Sequence, residues 1–252
     1  MRTENQQKKQ KKSGVFYGVI IAALITVIGF SAWQIGKILW EYHVGTSAYE
    51  EVQRLAGGGA QESEGKIDFD ALKKKNKDVK AWLYSADTPI NYPVVQGEDN
   101  QYYLYRMFNG EYNGKGSLFI DYRCENPFRD FNTVIYGHRM KDGSMFHDLI
   151  EYRDADYYQK HKTMELTTPE REYELQIFAV VTISADSDLY RFSFSSNSEK
   201  QTYLDQVTAA SEVDMGVPVS PEDRIVMMST CTYEYDDARL VVYGRLRAAE
   251  SS

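Results

Sequence analysis

The sequence predicts a mainly β domain, a barrel or sandwich with added helices, preceded by one transmembrane helix. Three observations predict it. Residues 14–36 form an apolar run without a charge. From Trp82 onward, short apolar runs alternate with turn signals, the pattern of many short strands. The chain also holds 20 Tyr and only 6 Pro, which suits a strand-rich, well-packed domain.

The elements follow in order. Residues 1–13 are a polar tail with clustered Lys, expected to stay in the cytoplasm. Residues 14–36 read as the anchor. Val15 to Trp33 alone reach roughly 28 Å, close to a bilayer core. Trp33 and Trp40 sit where an interfacial belt would lie, with Tyr17 at the other end. A cleaved signal peptide is the rival reading. The run is long for one, and no small-x-small site follows. Everything after the span is therefore expected outside the cell membrane, which the chain crosses once. Residues 37–65 read as a stalk that starts helical and breaks at a linker, 57–65, where Gly57-Gly-Gly interrupts the pattern. The folded domain is 66–252.

Within it, 68–83 reads as a helix with Lys73, Lys74, Lys75 and Lys77 on a solvated face. Seven strands are expected in AWLY, INYPVVQ, GSLFIDY, NTVIYGH, YELQIFAVVTI, RIVMMSTCTY and RLVVYGRLR. A short helix is expected at 145–152. A better-marked one spans 198–211, with Ser198 as cap, Gln201 at the capping-box position and Tyr203, Leu204 and Val207 on one face.

Composition excludes several classes. The net charge is −8 and the basic residues are scattered, which argues against nucleic acid. Two Cys make no disulfide framework, although a Cys124–Cys231 bridge is open in an oxidising compartment. No cluster has metal-ligand spacing, so neither metal nor cofactor is expected.

The chemistry gathers near the C-terminus. The strand 224–233 and the strand starting at Arg239 are separated by Asp236-Asp237, which favour a turn. An antiparallel hairpin would bring Cys231 beside Arg239. A thiol and a guanidinium suit acyl transfer: the sulfur attacks a carbonyl and the Arg donates to the oxyanion. Of the four His, His138 ends an apolar strand just past Gly137, which lets the chain turn there, and is placed to face a groove. Each residue has a plainer reading. Cys231 could be a buried apolar residue, His138 a satisfied strand end, and Arg239 a rim charge paired with Asp236 or Asp237.

TVIYGHRMKDGSMFHDL, the STC strand end and the Arg that follows resemble a sortase. INYPVVQGEDNQYYL and GSLFIDYR resemble class B sortases, over residues 66–247. The resemblance implies a sortase-type closed β-barrel with additional helices, an N-terminal one and one between late strands. It implies a membrane-anchored cysteine transpeptidase of a Gram-positive bacterium. Such an enzyme cleaves an Asn-Pro-x-Thr-type sorting signal after Thr, holds the acyl group as a thioester, and passes it to an amine of peptidoglycan or its precursor. Carried over by position, Cys231 is the nucleophile, His138 the general acid and base, and Arg239 the oxyanion partner. Ser229 and Thr230 line the groove, Asn91 and Val95 contact the signal peptide, and Tyr190 is a further candidate. Some class B members carry an acidic residue directly after the Cys; here Thr232 stands there. A thiol endopeptidase releasing product to water, and a catalytically silent binding domain on the same fold, are the alternatives.

Overall fold

The computed structural model describes residues 2–57, 66–232 and 234–249 of the 252. Side chains of residues 2–16 and 19 lie outside that description, as do most of the predicted linker (58–65) and the last residue of the predicted strand 224–233. The chain forms two compact units, Met1–Val44 and Gly45–Ser252.

Helix α1, Arg2–Leu55, supplies the first unit and enters the second. From Ile20 it is long and apolar enough to cross a membrane, with its apolar side chains exposed along the span. Its last turns, from Gly45, belong to the second unit. There Tyr49 and Val52 are buried, and the Tyr49 hydroxyl donates to the Gly116 carbonyl (2.5 Å).

The second unit is a closed eight-stranded barrel. Its strands are β1 (Val79–Tyr84), β2 (Asn91–Val95), β3 (Leu118–Ile120), β4 (Asn132–Tyr136), β5 (Thr163–Thr167), β6 (Glu172–Ser184), β7 (Arg224–Cys231) and β8 (Ala238–Ala248). They run around the barrel in the order β1-β2-β3-β4-β7-β8-β6-β5, and β5 closes on β1. The closed form removes sheet edges. Trp82, Leu118, Ile135, Met227 and Val242 are among the fully buried side chains, each contributing roughly 1.5–3 kcal/mol by burial.

All seven expected strands are present, and one more, β5, was not foreseen. Its sequence TMELT has only two apolar residues, Met164 and Leu166, both buried. The predicted helix 68–83 is cut short: α2 covers only Phe69–Lys75. Asp68 caps its start by accepting from the Ala71 N–H (2.9 Å). Asn76 ends it in an extended conformation, its amide donating to the Phe108 carbonyl (2.8 Å) and the Tyr103 hydroxyl (3.0 Å). The residues beyond it join the sheet as β1, because Val79, Ala81, Trp82 and Leu83 find buried partners there.

The predicted helix at 145–152 is a 3-10 helix, His147–Arg153, and a short helix α3, Ala155–Lys160, follows it. Helix α4, Asn197–Ala209, buries Tyr203, Leu204 and Val207 as expected. Its cap is Ser196, not Ser198. The Ser196 side chain accepts from the Glu199 N–H (3.2 Å), and Glu199 in return takes the Ser195 N–H (2.7 Å). Two serines in reach of a carboxylate two residues earlier than Gln201 moved the start.

Candidate active site

The barrel's registers bring three predicted residues to one rim. Strand β7 pairs antiparallel with β8, and Cys231 lies opposite Arg239. The reversal between them uses Asp237 at φ +60°, the left-handed region that Asp tolerates better than most residues. Strand β4 runs parallel to β7 with Tyr136 beside Ser229. Extending both chains by two residues reaches His138 and Cys231. Both line a groove of about 180 Å³ with Arg239, Ser229, Thr230, Tyr136, Gly137, Phe119, Leu104 and Asn100.

The turn onto His138 depends on crowding. Gly137 does not adopt a positive φ; a Cβ there would meet Leu118 at 2.4 Å and Phe146 at 2.6 Å. Glycine is needed because the backbone passes between two core side chains. His138 Nε2 lies 2.7 Å from the Leu104 carbonyl. A carbonyl only accepts, so Nε2 carries the hydrogen and Nδ1 is the nitrogen left for proton transfer. The loop after His138 is pinned by Lys115, whose side chain is only 2 % exposed. Its ammonium meets Asp142 (2.6 Å), Ser144 (3.0 Å) and Thr46 of α1 (3.0 Å). Burial alone would raise the Asp142 pKa, but Lys115 and the Ser144 donors outweigh it and hold the carboxyl below its ordinary value.

Cys231 is half-buried and free. Arg239 donates to its neighbour's carbonyl, Ala238 (3.0 Å), and no carboxylate pairs with it among the described residues. Its remaining donors are available to an oxyanion. Thr232 is buried and its hydroxyl donates to Glu234, which also pairs with Arg153. These two partners lower the Glu234 pKa to about 2, so this carboxylate is committed to anchoring the turn after Cys231.

The other candidates separate. The Tyr190 hydroxyl lies 2.7 Å from Ser229 Oγ, and burial raises its pKa; Ser229 itself is buried. Thr230 lines the groove, but its hydroxyl oxygen is itself buried and has no hydrogen-bond partner among the described residues. Asn91 and Val95 are not among the groove's lining residues. Asn91 accepts from the Trp82 indole (2.7 Å), and Val95 is fully buried. Cys124 is buried and free, and burial pushes its thiol pKa up to about 11.

The other His are engaged elsewhere: His43 beside Trp40, His147 on the Met140 carbonyl, His161 against Tyr157. Sequence reasoning missed Leu104, Asn100, Phe119 and Tyr136. Tyr136 stands two residues before His138, so strand periodicity pointed to it. Nothing local marks Leu104, 34 residues from the ring it holds.

A family model for the sortase domain matches residues 85–247. Sortase B of Listeria monocytogenes is 37 % identical over 229 residues, covering 88 % of this chain and 93 % of that protein. Among solved structures, the Staphylococcus aureus sortase B–substrate complex superposes with a TM-score of 0.77 at 31 % identity, covering 84 % of this chain and all of that one. Sortase B of Bacillus anthracis in complex with AAEK1 gives 0.74 at 34 %, with coverage of 84 % and 100 %.

Proposed function

This chain belongs to the sortase family of cysteine transpeptidases, class B, and from that premise we propose that it anchors proteins to the cell wall. It cleaves an Asn-Pro-x-Thr-type sorting signal after Thr and transfers the acyl fragment to an amine of peptidoglycan or its precursor. The domain plan that goes with this reading is a cytoplasmic tail (1–13), a membrane anchor (14–36), a stalk (37–65) and an outward-facing catalytic domain (66–252).

The observation that carries the reading is the rim where Cys231 faces Arg239 across one ladder and His138 lines the same groove. In the reactive form the Cys231 sulfur is anionic and His138 holds a proton on each nitrogen. The sulfur attacks the Thr carbonyl, and the Arg239 guanidinium donates to the oxyanion. The C–N bond breaks as His138 Nδ1 gives its proton to the leaving amine. The acceptor amine then attacks the thioester, His138 takes a proton from its nitrogen, and the C–S bond breaks to restore the thiolate. The Tyr190–Ser229 pair suits contact with the peptide, and Thr230 lines the same groove. A relative solved as a substrate complex supports peptide binding on this fold.

The test is incubation of the purified domain with a sorting-signal peptide, with and without an amine, followed by mass spectrometry. A thioester on Cys231 and an amine-dependent product are expected. Cleavage to the free acid alone, whatever amine is present, leaves a thiol endopeptidase instead. No adduct at Cys231 leaves a binding domain.

A further inference from the structure

Among the described residues outside α1, the large apolar side chains that stand exposed are all tyrosines: Tyr102, Tyr105, Tyr112, Tyr122 and Tyr235. Three of them sit on one segment, residues 99–116, which also supplies the Leu104 and Asn100 wall of the groove. That segment is stiff. Arg106 bridges Tyr112, the Met107 N–H donates to Glu111 (2.9 Å), and the Asn113 N–H donates to Tyr105 (3.0 Å). Gly110 turns the ledge at φ +84°, and Met107 and Phe108 are buried beneath it. The Tyr105 ring lies 6.1 Å from the His138 ring and 6.1 Å from the Tyr112 ring, nearly parallel to the latter. A group of exposed rings on a fixed support, beside the proton-transfer residue, marks an interaction surface. The ledge already holds a cation: the Arg106 guanidinium sits 5.0 Å over the Tyr102 ring.

We propose that Tyr105, backed by Tyr112, is the receiving surface for the acceptor, binding its primary ammonium over the ring face next to His138. This rests on the transpeptidase reading above and adds a site to it. An alkyl amine is almost wholly protonated at neutral pH. What arrives at the groove is therefore a cation that must lose a proton before it attacks. A carboxylate would attract it, but would also stabilise the charged form and oppose that loss. A tyrosine face attracts the cation through its quadrupole with no full counter-charge. The chain's net charge of −8 favours the same approach at longer range. Tyr105 acts here as a positioning residue, delivering the nitrogen within reach of His138 Nδ1.

The experiment reads how one thioester divides between amine and water, so any loss in thioester formation cancels. The domain, a sorting-signal peptide and a fixed concentration of a primary alkyl amine are mixed near neutral pH, and amide and free-acid products are counted by mass spectrometry. Tyr105→Leu should lower the amide-to-acid ratio about 3- to 30-fold, the range of a cation–π contact, while Tyr105→Phe, which keeps the ring face, stays within twofold of wild type. With hydroxylamine, uncharged at this pH, the Leu variant should partition as wild type does. A Tyr105→Leu ratio within twofold of wild type with the alkyl amine overturns the proposal. So does an equal fall with hydroxylamine. A wild-type chain that forms no Cys231 adduct removes the transpeptidase reading itself, a result separate from either.

Discussion

The two walls of the groove are built by different means. On one side, Cys231 and Arg239 are register partners in a backbone ladder, joined by a short turn. On the other, His138 stands past the end of β4 and is held by the Leu104 carbonyl, 34 residues away, by Leu118 and Phe146 packed around Gly137, and by the Lys115–Asp142 pair. A ladder places residues through main-chain bonds, so substituting one side chain leaves the spacing intact. A packed loop takes its position from the side chains, so remote substitutions move it. Loss of Cys231, Arg239 or His138 itself should therefore be chemical, and damage to the supports that hold His138 structural.

Cys231→Ala breaks the first wall most completely: cleavage and the thioester adduct should both fall to background, with an unchanged melting temperature. Next, His138→Ala should lower kcat/KM about 10²–10⁴-fold, the range for a lost general acid–base. Arg239→Ala should cost about 10²–10³-fold, mainly in kcat, as for a lost oxyanion donor. If Arg239→Ala instead raised KM alone, the guanidinium would serve ground-state binding and not the oxyanion.

The second wall is tested through stability. Lys115→Met leaves Asp142 without its cation and should cost about 2–4 kcal/mol at neutral pH by denaturant unfolding. Its pH dependence follows from the sign of the Asp142 shift. A carboxyl whose pKa is lowered in the folded state contributes stability above its unfolded pKa, and loses it as pH falls through the folded one. The gap between wild type and Lys115→Met should be constant above about pH 5 and close as pH drops below about 4. A gap that stays constant into acid would remove the charge pair as the cause. Smallest is Gly137→Ala. The added methyl must displace Leu118 and Phe146, costing about 1–3 kcal/mol. Activity should fall too, since His138 follows directly.

The same division governs how much was legible beforehand. The Cys231–Arg239 pairing could be read because a hairpin is local: two apolar runs and an Asp-Asp turn specify it. The seven strands with continuous Val, Ile, Leu, Phe or Tyr content were legible for the same reason. Strand β5 was not, because two apolar residues among Lys, Thr and Glu resemble a surface run until β1 and β6 pair with it. The helix at 68–83 was overextended because its limit is set by Asn76 bonding to Phe108 and Tyr103, some 30 residues away.

Sequence by itself determined the apolar span, the mainly β character, the family pattern and the residue types that carry the chemistry, since these depend on local composition and periodicity. Only the tertiary structure decided which nitrogen of His138 is free, why Gly137 has to be glycine, and that Tyr190 meets Ser229 while the Asn91 side chain turns to Trp82. Those facts are side-chain contacts, some between neighbouring strands and some, such as Leu104 on His138 and Tyr190 on Ser229, between residues more than 30 apart, and a contact exists only once the elements have packed.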